Sequence, residues 1–273
     1  MSDTIDAAAQ PAIQLQRVHA LESSKSCVPP VSARDFLRLA QGFYFVFWGL
    51  LLAVLAGSQL LILIGADTAT ESRAIEILIL ATEFFCTLFL GAGVIAILVG
   101  SWRLYQVRNL GERWHRRARV VLALAALLNY FCICFWFWRR VPESSYLLIN
   151  ALAFWATGIL FMIVLTRAMA ALSIALGRPD MALESRVLGT SNVVFLLLPF
   201  ACVSAYLIVM MFVRHSSLFG ELQSLLDRVN LLFVLILLLP FSLTLSLIWG
   251  CKDAVLRQLA TFERKASPDA DPI

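Results

Sequence analysis

A single carboxylate, Glu83, lies well inside one of the six long apolar runs of this chain. Counting inward from about residue 75 at about 1.5 Å per residue places Glu83 roughly 12 Å deep in a bilayer. An ionised carboxylate is costly at that depth, and the other runs carry no basic residue at a matching depth. We expect Glu83 to be protonated or hydrated, and a carboxylic acid in that state can carry protons.

Four other runs place a polar side chain at a similar depth, about 9–13 Å from their outer ends. With Glu83, these residues form a polar layer: Gln59, Asn129, Asn150 and Ser204. If all five face inward, they line a substrate or proton site. The alternative is that they hold helices together, because amides and hydroxyls join membrane helices at about 0.6–2 kcal/mol per contact.

Two prolines and a set of glycines bear on how the helices move and pack. Pro199 and Pro240 each fall near the middle of an apolar run, where a proline leaves a carbonyl unpaired and kinks the helix. They are candidate hinges, with a static kink as the alternative. Small residues on the second run favour close contact with another helix, and small residues on the fifth run offer a partner. They are Gly91, Gly93 and Gly100 on the second run and Gly189, Thr190 and Ser191 on the fifth.

The elements that position these residues are six membrane-spanning helices. Apolar residues make up 60% of the 273 and charged residues only 15%, which is outside the range of soluble domains. We therefore predict an all-α polytopic membrane protein, built as three in-out hairpins within residues 32–263. The predicted spans are 42–65, 74–101, 119–138, 144–167, 187–213 and 229–251. The tails, 1–31 and 264–273, are expected to be disordered.

The distribution of basic residues predicts the orientation. Most of the 22 Lys and Arg residues fall on the side of the membrane that holds both termini. The positive-inside rule therefore places the N- and C-termini in the cytoplasm, with the protein in the cytoplasmic (inner) membrane. The net charge of +4 is explained by this topology and does not indicate a nucleic-acid partner.

The segment 102–119 is the most basic part of the chain. Leu104, Val107, Gly111 and Trp114 share one face at helical spacing, which predicts a helix lying along the inner membrane surface. Such a helix would dock a cytoplasmic partner or anionic lipid, unless it serves only as a topology anchor. The candidate docking residues are Trp102, Arg103, Arg108, Arg113, Trp114, Arg116 and Arg117.

No pattern in the sequence indicates catalysis or a bound cofactor. His19, His115 and His215 all lie outside the predicted spans, so none can ligate haem or a metal within the membrane. No phosphate-binding glycine loop is present. We expect a protein that is not an enzyme and has no cofactor or metal. The leading hypothesis is a small permease or transporter with a protonatable Glu83. The alternative is a non-catalytic scaffold or accessory subunit that docks through its basic cytoplasmic face.

Overall fold

The computed structural model describes residues 32–66, 73–141, 144–214 and 231–266. Side chains are described for all of these except 60–66, 73–78, 139, 210–214, 231–237 and 262–266. The predicted N-terminal tail and most of the predicted C-terminal tail lie outside the described residues. Within the described residues, every regular element is helical.

Six helices account for the described chain, and each is long and apolar enough to cross a membrane. They are α1 (Ala33–Ala66), α2 (Arg73–Gln106), α3 (Glu112–Arg140), α4 (Ser145–Ala175), α5 (Pro179–Asn192, Val193–Leu197 and Leu198–Arg214) and α6 (Leu231–Ala266). The middle piece of α5 is π-helical. The predicted all-α membrane fold with six spans is therefore confirmed.

The helices extend past the predicted spans at one end of the bundle. At that end α1 begins at residue 33 rather than 42, α3 begins at 112 rather than 119, and α6 ends at 266 rather than 251. At the opposite end the bounds agree within two residues. We call the projecting end the basic end, and it comprises the helix ends near 33, 106, 112, 175, 179 and 266. The C-terminal helix thus runs three residues into the predicted tail.

Local sequence explains where α4 begins and ends. Ser144 caps its N-terminus, with the hydroxyl accepting a 3.4 Å hydrogen bond from the Leu147 N–H. Gly177 has a φ of 68°, a left-handed conformation that glycine adopts without strain. Pro179 then starts α5, because its fixed φ and missing N–H suit the first turn of a helix.

Glycines bring the backbones of α1 and α2 into direct contact. A Cβ atom placed on Gly49 would lie 2.6 Å from the Gly93 carbonyl oxygen, and one on Gly100 would lie 2.7 Å from the Gly42 carbonyl oxygen. The close packing expected of the α2 glycines is present at Gly93 and Gly100, but among the described residues a Cβ atom on Gly91 would meet nothing within 4 Å. The partner is α1 rather than the fifth helix. The sequence carried the signal, since both glycine pairs are seven residues apart and share a helix face.

The six helices form one bundle with a shared core. Each helix packs against the next in the chain, and α6 returns to pack against α1, α4 and α5. Every helix contributes a fully buried apolar side chain, namely Phe43, Ile97, Phe135, Phe161, Leu207 and Ile248. This packing fixes the positions of the polar groups described below.

Candidate functional site

The residues of the predicted polar layer differ in their exposure and in their hydrogen bonds. Gln59 is exposed on α1. The Asn150 amide donates a 2.8 Å hydrogen bond to the Tyr146 carbonyl of its own helix. Among the described residues, no hydrogen-bond partner reaches the buried Ser204 hydroxyl.

Asn129 and Glu83 lie on neighbouring helices. The Asn129 amide donates to the Val94 carbonyl of α2 at 3.1 Å and to the Ala125 carbonyl of α3 at 3.0 Å. Asn129 therefore joins two helices, which is the packing role that its sequence position also allowed. Glu83 is half-buried, and its backbone carbonyl accepts a 2.8 Å hydrogen bond from the Thr87 hydroxyl. The use of these residues as a substrate or proton site stays a prediction.

The two prolines occur in different surroundings. Pro199 follows the π-helical segment Val193–Leu197, a local widening that accommodates a residue with no N–H and a bulky ring. Pro240 is buried inside α6, and its carbonyl accepts a 2.8 Å hydrogen bond from the Thr244 hydroxyl. Both positions are compatible with a hinge, which remains a prediction.

A buried hydrogen bond beside these prolines was missed at the sequence level. The Asn192 amide of α5 donates to the Thr244 hydroxyl of α6 at 3.1 Å, and both side chains are fully buried. The side-chain oxygen of Asn192, Oδ1, has no hydrogen-bond partner among the described residues. Asn192 lies near the basic end of its helix, so a count inward from the opposite end passed over it.

The predicted surface helix over 102–119 is wrong. Helix α2 continues to Gln106, the chain turns, and α3 begins at Glu112. Gly111 has a φ of 95° at the end of this turn, a conformation that favours glycine. Leu104, Val107 and Trp114 are at most 2% exposed, so their shared apolar face packs against protein instead of the membrane. Helical periodicity indicates a buried face and does not say what covers it.

Hydrogen bonds from several elements hold this turn in place. The indole N–H of Trp114 donates to the Val107 carbonyl at 3.1 Å. The Asn109 amide donates at 2.9 Å to the carboxylate of Asp35, which is buried at the start of α1. His115 stacks on Tyr105 with a centroid distance of 4.9 Å. The role of Asp35 was not predicted, because nothing in the sequence pairs it with residue 109.

The remaining docking candidates lie on the surface of the basic end. Arg108, Arg113 and Arg116 are exposed, as is Trp102, while Arg103 and Arg117 are half-exposed. Trp114 is buried, so it supports the turn and does not face a partner. The Arg103 guanidinium donates to Gln41 at 3.3 Å, and Arg116 forms a 3.1 Å ion pair with Glu112.

A cleft of about 530 Å³ opens between the start of α3, the end of α4 and the start of α5. Four arginines surround it, Arg113 and Arg117 from α3, Arg167 from α4 and Arg186 from α5. The Arg117 guanidinium also donates to the Arg167 carbonyl, which ties α3 to α4. Arg167 and Arg186 are distant along the chain from the basic segment 102–119, so their place beside Arg113 and Arg117 was not predicted.

Comparison with protein-family models, with curated proteins and with solved structures finds no match to this chain. Within the described residues, no group of three or more His, Cys, Asp or Glu side chains is placed to hold a metal ion. The fold defines an α-helical multi-pass membrane protein in contact with a lipid bilayer. Two features of the structure bear on its activity, namely the basic end and the polar residues within the bundle.

Proposed function

We propose that the protein is a non-catalytic accessory subunit of a membrane complex and that it docks an acidic cytoplasmic protein through its basic end. The observation that carries this proposal is the turn between α2 and α3. It projects beyond the predicted spans, is fixed by hydrogen bonds to Asp35 and Val107, and presents Arg108 to solvent. The proposal places the basic end in the cytoplasm at the plasma membrane, since most Lys and Arg residues lie there.

A fixed turn suits docking because little conformational entropy is lost when a partner binds an ordered surface. Arginine suits an acidic partner because its guanidinium group forms paired hydrogen bonds with carboxylates. Arg103 and Arg116 lie on the two helices that flank the turn, and Arg108 lies within the turn itself. We call Arg103, Arg108 and Arg116 the docking arginines.

Site-specific photocross-linking in native membranes tests this proposal. A photoreactive phenylalanine replaces Arg108 in one variant and Val141 in the other. Val141 is a matched control, because it is exposed and ends a helix at the opposite end of the bundle. We expect one discrete adduct with a protein at position 108 and none at 141. Equal cross-linking at both positions, or adducts with lipid alone at 108, would refute docking.

The π-helical segment in α5 favours a second function, a small permease. Such segments frequently accompany functional sites, and Pro199 lies two residues past the end of this one. In this account Pro199 and Pro240 are hinges and Glu83 is the protonatable group. The buried contact between Asn192 and Thr244 would break and re-form as α5 moves.

Proton flux in proteoliposomes tests the permease account. Glu83→Gln removes the titratable group and keeps the shape of the side chain. The account expects proton-coupled flux in the wild type that is lost in Glu83→Gln and retained in Thr87→Ala, a control one turn away. Equal flux in wild type and Glu83→Gln excludes Glu83 as the proton carrier.

A further inference from the structure

The cleft at the basic end gathers positive charge from three helices. Arg113, Arg117, Arg167 and Arg186 line it, while Ala170 and Ile174 contribute an apolar wall. Among the described residues that line the cleft, Glu112 is the one carboxylate, and it is paired with Arg116 at 3.1 Å. Four guanidinium groups around one small volume repel each other, so an anion between them lowers the energy of the folded protein.

The N-terminus of α3 adds to this positive potential. Gly111 is the N-cap of a 29-residue helix, and no side chain caps the free N–H groups of the first turn. Leu110, Gly111 and Glu112 all line the cleft, so this helix end opens into it. An uncapped helix N-terminus carries a partial positive charge and binds anions, phosphate groups in particular.

The depth of the arginines indicates where the anion comes from. A helix crosses about 30 Å of hydrocarbon in about 20 residues. Helix α4 begins at Ser145, so Arg167 lies just past the point where the helix leaves the hydrocarbon, at the level of the lipid headgroups. Leu160, seven residues deeper on the same face of α4, is 41% exposed and offers an apolar surface to acyl chains. A lipid phosphate therefore reaches the cleft without leaving the membrane.

We propose that this cleft binds the phosphate group of an anionic phospholipid. The guanidinium groups of Arg113, Arg117, Arg167 and Arg186 receive the phosphate oxygens, and the acyl chains follow α4 past Leu160. None of the four cleft arginines is a docking arginine, so this site goes beyond the proposed docking function and does not depend on it.

Native mass spectrometry of the full chain, released from mild detergent and titrated with phosphatidylglycerol, tests the proposal. The cleft variant is Arg113→Gln/Arg186→Gln. The matched control is Arg119→Gln/Arg257→Gln, which removes two exposed arginines from the same end outside the cleft. We expect the first phosphatidylglycerol to bind about tenfold more weakly to the cleft variant and within about twofold of wild type in the control, since charge-assisted contacts are lost only in the former.

Two further arms identify the ligand. Phosphatidylcholine, which has no net charge, is expected to bind the wild type no better than the cleft variant. An excess of inorganic phosphate is expected to leave phosphatidylglycerol bound, because the acyl chains contribute to its affinity. An equal loss of phosphatidylglycerol binding in the cleft and control variants would overturn the proposal. Displacement of phosphatidylglycerol by inorganic phosphate, or displacement by an acidic peptide that needs the cleft arginines, would overturn it as well. Thermal unfolding of both variants within a few degrees of wild type shows that the comparison is made on folded protein.

Discussion

The basic end and the polar layer in the opposite half of the bundle both concentrate polar side chains, but they connect them differently. At the basic end, Asn109 bonds to Asp35 on another helix and Arg117 bonds to a carbonyl of α4. In the opposite half, Asn129 bonds to a carbonyl of α2, but Asn150 and Thr87 each donate to a carbonyl four residues earlier in their own helix. A bond within one helix satisfies a polar group without fixing its neighbours, whereas a bond between helices specifies a surface. The basic end is therefore the better-defined surface of the two.

Breaking the contact between α1 and α2 should disturb both regions and have the largest effect. Gly49→Ala places a methyl group 2.6 Å from the Gly93 carbonyl oxygen, so the two backbones must separate. Overpacking of this kind costs about 1–3 kcal/mol. Thermal unfolding in detergent micelles should show a lower midpoint. Gly91→Ala is the control, because no atom of another described helix lies within 4 Å of the added methyl group. An equal loss in the two variants would contradict the packing described for α1.

Removing the carboxylate of Asp35 should loosen the basic end alone. Asp35→Ala leaves the Asn109 amide without its acceptor, at a cost of about 1–3 kcal/mol. Hydrogen–deuterium exchange should quicken in the turn 107–111 and stay unchanged in the half of the bundle that holds Asn150. Asp35→Asn keeps an oxygen acceptor and should restore much of the protection. Unchanged exchange in the turn after Asp35→Ala would show that this hydrogen bond does not hold it.

Of the two asparagines in the polar layer, the one that joins two helices should matter more for stability. Asn129→Leu removes its bond to the Val94 carbonyl of α2, worth about 0.6 kcal/mol in a membrane helix pair. Asn150→Leu removes only a bond within α4 and should leave the unfolding midpoint within error. If the Asn150 variant were the less stable of the two, a bond within one helix would stabilise the protein more than a bond between helices. The contrast between the basic end and the polar layer would then fail.

Much of the fold was predictable because the hydrocarbon core imposes a length on every span. At the end of the bundle opposite the basic end, the apolar runs and the helices end within two residues of each other. The stop at Gly177 and Pro179 was also readable, since each residue has a specific effect on the backbone. At the basic end this constraint is absent, and the helices continue for 5 to 15 residues beyond the apolar runs.

The candidate site was less predictable, for two physical reasons. Depth can be counted from a span boundary, but the direction a side chain faces depends on which helix packs beside it, and Gln59 is exposed whereas Asn129 bonds to a neighbouring helix. Contacts between distant segments leave little trace in one sequence, so Arg167 and Arg186 could not be joined to Arg117. The face shared by Leu104 and Trp114 was read correctly as apolar and assigned wrongly to the membrane. The turn at Gly111, with its positive φ, separates α2 from α3 and folds this apolar face into the bundle.

The central claim is that the protein acts through its basic end and that the polar layer is not needed for assembly. The most direct test is the mass of the complex extracted with mild detergent, comparing wild type with two variants. The first variant reverses the docking arginines (Arg103→Glu, Arg108→Glu and Arg116→Glu), and the second is Glu83→Gln. We predict that the wild type and Glu83→Gln retain a partner protein, whereas the charge-reversed variant is folded and alone. A wild type without a partner, or a complex lost in Glu83→Gln and kept after charge reversal, would contradict the account.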